Sequence, residues 1–87
     1  MDETEINENR IAVLGIIISD VNAVEEVNRI LHDASAYVLG RMGLPMRARG
    51  VNAITLVLDA PVNAVNGLTG KLGKINGVSA KALFGKL

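Results

Sequence analysis

The chain has 87 residues, 49% apolar and 21% charged, with nine basic and nine acidic residues and therefore no net charge when its one His is neutral. That length makes one domain, the apolar fraction excludes a disordered polymer, and the balanced charge disfavours gripping a nucleic acid over a broad face. With no Cys, a single His (His32) and 2% aromatics, the sequence excludes a disulfide framework, a thiolate or multi-His metal site within one chain, and a base-stacking platform.

Residues 1–9 carry four acids and little to bury, so they are expected to form a disordered, solvated tail ahead of a single domain over residues 10–87. This acidic start is neither a secretory n-region nor an Arg-rich transit peptide. The longest apolar run, Ile11 to Ile18, falls far short of the ~20 residues of a membrane span, so a cytoplasmic protein with no membrane contact is expected.

Arg10 to Ile18 is apolar on both faces and predicts a central strand covered at least partly on each. Ser19-Asp20 then offers an N-cap. From Val21, apolar residues at Val24, Val27, Leu31 and Ala34 alternate with Glu25, Glu26, Arg29, His32 and Asp33, the pattern of an amphipathic helix of about four turns. Ala36 to Met42 reads as a second strand, and Gly43 to Gly50, broken by Pro45, as a loop. Val51 to Leu58 is a third, strongly apolar strand. Asp59-Ala60-Pro61 is expected to open a second helix capped by Asp59, with a buried stripe of Val62, Val65, Leu68 and Leu72. Gly73 to Gly77 turns the chain, and Val78 to Phe84 is a fourth strand with Lys81 facing out.

The order β-α-β-β-α-β predicts an α+β, ferredoxin-like fold: a four-stranded antiparallel sheet with both helices on one face. The first and third strands should be central; the edges carry Arg41 and Lys81. Helices cover one face only, yet strands one and three are apolar on both. About four exposed side chains at ~1.5–3 kcal/mol each leave on the order of 6–12 kcal/mol of burial unrealised. The expectation is that a second copy covers that face, or that edge strands pair between copies, giving a homodimer or tetramer; cover by the N-terminal tail is the alternative.

Other segments carry weaker chemistry. Arg41, Arg47 and Arg49 are expected to flank the hairpin loop with Met42 and Met46, as a partner contact or a solvated loop. Gly67, Gly70 and Gly73 recur every three residues in and after the second helix. Each helical Gly costs up to ~1 kcal/mol against Ala, so close helix packing or approach by another backbone is expected at Gly67 and Gly70. A phosphate-binding loop needs Gly-x-x-x-x-Gly-Lys followed by Ser or Thr, whereas Leu72 follows Lys71. His32 reads as a surface residue at a helix C-terminus. No nucleophile–base pair or metal constellation is present.

The apolar strand, Asp20 opening the helix, Leu31 near its end and Leu72…Ile75-Asn76-Gly77-Val78 together resemble an ACT-type regulatory domain. More narrowly, Arg10 to Phe84 resembles a family of small stand-alone proteins described as regulators of the iron-only hydrogenase system. The resemblance is carried by Arg10 to Gly15, Val27 to His32, Gly40-Arg41-Met42-Gly43-Leu44-Pro45, Leu58 to Pro61 and Leu68 to Gly73, of which the Gly40 to Pro45 segment is the most specific. That family is in turn similar to the ligand-binding half of the nickel-responsive repressor. The repressor half binds nickel through several His and a Cys, which this chain lacks, and no counterpart of its DNA-binding half is expected. The resemblance places effector-binding groups at Ser19 and Asp20, where free N–H groups and the helix dipole favour a small anionic or amino-acid ligand; plain capping is the competing account.

The function expected is that of a non-enzymatic regulatory module, without cofactor or metal, acting as a homo-oligomer on a small effector or a hydrogenase-related partner protein. A purely structural interaction subunit is the alternative, and a transcriptional regulator contacting DNA a more distant one.

Overall fold

The computed structural model describes residues 8–86. In chain order the elements are β1 (Asn9–Ile18), α1 (Val24–Asp33), β2 (Val38–Met46), β3 (Val51–Pro61), α2 (Val62–Gly73) and β4 (Val78–Phe84), with 3-10 turns at Val21–Ala23, Ser35–Tyr37 and Arg47–Arg49. The strands form one antiparallel sheet in the order β2-β3-β1-β4. This is the ferredoxin-like arrangement that the alternation of elements implies. Residues 1–7 of the acidic stretch lie outside the described residues, while Asn9 already belongs to β1.

Register decides which residues share a face. Leu14 pairs with Leu56 and Ala82, and Ile16 with Ile54 and Ala80. These rows lie under the helices and, with Val27 and Leu31 of α1 and Val65, Leu68 and Leu72 of α2, form one core. Each fully buried Leu or Val contributes about 1.5–3 kcal/mol relative to exposure. No polar or charged residue is buried among the described residues.

Four local expectations are corrected. The first helix does not run unbroken from Val21: Asp20 caps a 3-10 turn, its carboxylate accepting from the Asn22 amide at 2.9 Å, and α-geometry begins only at Val24. The strand after it starts two residues later than expected, because Ser35–Tyr37 first make a 3-10 turn. It then continues through Leu44, Pro45 and Met46, leaving Arg47–Gly50 as the hairpin tip. Pro45 is tolerated there because β2 is an edge strand with no neighbour on its outer side. Finally, Asp59 does not cap the second helix. It pairs with Ile11 inside β3, which extends to Pro61, and Pro61 occupies the N-cap position with no side-chain cap bond.

Among the described residues, nothing covers the sheet opposite the helices. Ile11, Val13 and Ile17 of β1 are 48%, 38% and 45% exposed, and Met42, Leu44 and Leu83 of the edge strands are more so. The described residues of a single chain thus cover one side of β1, not both.

Candidate functional site

The β1–α1 junction is built by the turn that leads into β4. Ser19 donates twice to the Gly77 carbonyl, from its amide at 2.8 Å and its hydroxyl at 3.1 Å. Gly77 has φ +80°, and a Cβ there would lie 2.6 Å from the Asp20 Cβ. A glycine is required on both counts, since the left-handed region and the close approach each exclude a side chain. Ser19 and Asp20 therefore both make backbone bonds: one docks the α2–β4 turn, the other caps the first turn of helix.

Asp20 also lines an open cleft of about 590 Å³ between α1 and the end of α2. Asp20 and Glu26 stand on one wall with Arg29; Lys71, Lys74 and Asn76 approach from α2 and the turn that follows it. Among the described residues the one ion pair is Arg29–Glu26 at 3.8 Å, and both side chains are at least half exposed, so it adds little stability. The cleft thus presents ammonium, guanidinium and carboxylate groups together. Such a lining suits a small ligand carrying both signs of charge, or an anion held by the basic side. Ser19 does not line it. The basic half was missed in the sequence because Lys71 and Lys74 come from the end of the second helix, and only the tertiary fold carries them to Asp20.

The residues grouped around the hairpin separate. Arg41 lies on β2, and its Nη2 donates to the Asn28 Oδ1 at 2.8 Å, crossing from the sheet edge to α1. It borders two shallow grooves under that helix, of about 300 and 260 Å³. Met42 and Leu44 face the other way, on the open side of the sheet, and Met46 shares their side by alternation along the strand. Arg47 and Arg49 sit in the 3-10 turn at the tip, and Gly50 closes it at φ +64°.

Gly67 and Gly70 are not packed. Among the described residues a Cβ at either position would meet nothing within 4 Å, so the expected close helix contact is absent there. Gly67 lines a groove of about 280 Å³ between the helices, alongside Ile30, Asp33, Tyr37 and Lys71. His32 is exposed in the last turn of α1, and no group of three potential metal ligands exists among the described residues.

The fold is ACT-like. The ACT domain of a GTP pyrophosphokinase from Chlorobium tepidum superposes with a TM-score of 0.66 at 20% identity, over 86% of this chain and 99% of that one. A formyltetrahydrofolate deformylase from Pseudomonas putida contains a similar fold in 28% of its length, at 16% identity and a TM-score of 0.62 over 84% of this chain. At those identities the likeness is one of fold. The chain belongs to the TM1266-like family, described as "iron-only hydrogenase system regulator, putative", whose model matches residues 10–82. The uncharacterized protein TM1266 from Thermotoga maritima is 36% identical over 91% of this chain and all of that one, with a TM-score of 0.87. Among curated proteins none matches the sequence.

Proposed function

We propose that this protein is a non-enzymatic regulatory module of the cytoplasm. It binds a small charged effector in the cleft beside Asp20 and acts, as a homo-oligomer, on a protein partner connected with an iron-only hydrogenase. The observation that carries this reading is the cleft itself: acids from the first helical turn and bases from α2 converge on one opening in a chain whose family description is that of a regulator. Its two walls come from different ends of the sequence, and Gly77 joins them. A ligand bridging Asp20 or Glu26 to Lys71 or Lys74 would therefore hold the α2–β4 turn against β1. Ordering that junction changes affinity for a partner only to the extent that the ligand prefers one arrangement over another.

A thermal-shift screen across amino acids, nucleotides and metal ions tests the reading. A true effector at about 100 times its Kd adds about 2.7 kcal/mol by linkage, which moves the melting temperature of a domain this size by roughly 10–20 °C. The shift should shrink in Lys71→Ala and Lys74→Ala. A flat screen would leave the second reading, a structural interaction subunit, which the open apolar sheet face favours.

A further inference from the structure

The oligomer in that reading can form through the sheet face or through a sheet edge. We infer that a second copy of this chain packs face to face against the open side of the sheet, with the helices outward. The inference rests on the oligomeric part of the proposed function and deepens it by naming the surface.

Both edges are guarded. On the β2 edge, Pro45 removes a backbone donor and the pairing with β3 is irregular between Val38 and Gly40, the two devices that blunt an exposed strand. The β4 edge has Lys81 at the middle of its seven residues. Two β4 strands paired antiparallel about their midpoints would set the two Lys81 ammonium groups opposite one another, which is destabilising.

The face has no such protection. Alternation and register put Lys81 and Asp59 on it as one base and one acid, amid large exposed apolar side chains from β1, β2 and β4. A surface with no net charge offers nothing to a polyanion or an acidic membrane. It can, however, meet its own copy in any arrangement that keeps the two Lys81 ammonium groups apart. Its size also fits. Four strands ~4.8 Å apart and about nine residues long at ~3.3 Å each give a projected area on the order of 500 Å². Side-chain relief brings this toward the ~800 Å² per partner of a stable interface. Large residues border a low strip where Gly15 pairs with Thr55, with Lys81 on its β4 side, so two twisted sheets can settle against each other over that strip.

Sedimentation of the native chain and of Val13→Glu decides the matter, since Val13 is already partly exposed in the single chain and the substitution leaves the core untouched. The native chain should sediment at a multiple of 9.2 kDa at micromolar concentration. Val13→Glu should be folded by circular dichroism and weaken association on the order of 100-fold, because each copy would bury an uncompensated carboxylate. If Val13→Glu is unfolded, Thr55→Cys in this Cys-free chain decides instead: a short bis-maleimide should join two copies across the face. A native monomer would overturn both the inference and the oligomeric reading. An oligomer that survives Val13→Glu, or a Thr55→Cys chain that does not cross-link, would overturn the face-to-face inference alone and leave assembly through an edge.

Discussion

Three glycines illustrate how differently one residue type behaves. Gly77 sits at φ +80° with its would-be Cβ 2.6 Å from that of Asp20, so Gly77→Ala must strain the backbone and separate the β1–α1 junction from the α2–β4 turn. A loss of about 2 kcal/mol or more is expected in urea unfolding. Gly67→Ala and Gly70→Ala should do the opposite. Both positions are helical with open space around them, so Ala removes backbone entropy from the unfolded chain and raises stability by about 0.5–1 kcal/mol each. A loss at Gly67 or Gly70 would mean that something outside the single chain packs there. In the sequence all three glycines looked alike. Spacing revealed the repeat in the helix, but only the fold distinguishes a glycine that a neighbour demands from one that nothing touches.

At the scale of elements, β1 is the informative one. Its continuous apolar run identified a central strand, and the register with β3 and β4 then assigned each residue to a face. Leu14, wholly buried, should cost about 2–5 kcal/mol on truncation to Ala. Its neighbour Val13 should cost less than ~1 kcal/mol in dilute protein, where its side of the sheet is open to water. Chemical denaturation of the two variants checks the assignment, and equal costs would refute it. β2 was harder to read. Pro45 normally ends a strand, and although the order of elements already put β2 at an edge, reading Gly43 to Gly50 as a loop overlooked that a missing N–H does no harm there. The Asp59 error has a similar origin. Asp before Pro resembles a helix start, but ladder pairing with β1 carries β3 two residues beyond it to Pro61.

For the whole molecule, the asymmetry of the sheet governs behaviour. One face is dry under two helices; the other presents large apolar side chains to solvent. If a second copy covers that face, the unfolding midpoint must rise with protein concentration, because association stabilises only the folded chain. Burial of that face is apolar, so the rise should persist in high salt, where contacts between surface charges are screened. Equilibrium urea curves at micromolar and at hundredfold higher concentration measure it, and superimposable curves would argue for a monomer. The candidate cleft belongs to this scale as well. Asp20 was legible as a capping residue, but its companions Lys71 and Lys74 lie about fifty residues away along the chain and reach it only through the docking of the α2–β4 turn.

The sequence by itself determined the order of elements, the central strands and the family, because hydrophobic periodicity and short motifs are local properties of the chain. It also required that some apolar sheet surface remain, since two helices cannot shield both sides of four strands. The tertiary structure decided what depends on distant residues meeting: which side of each strand is buried, where β2 and β3 end, which glycines are free, and which charges share a cleft. Register is what separates the two kinds of knowledge. A shift of one residue in pairing would move every side chain to the opposite face, and the energy that fixes it comes from contacts between strands far apart in the chain.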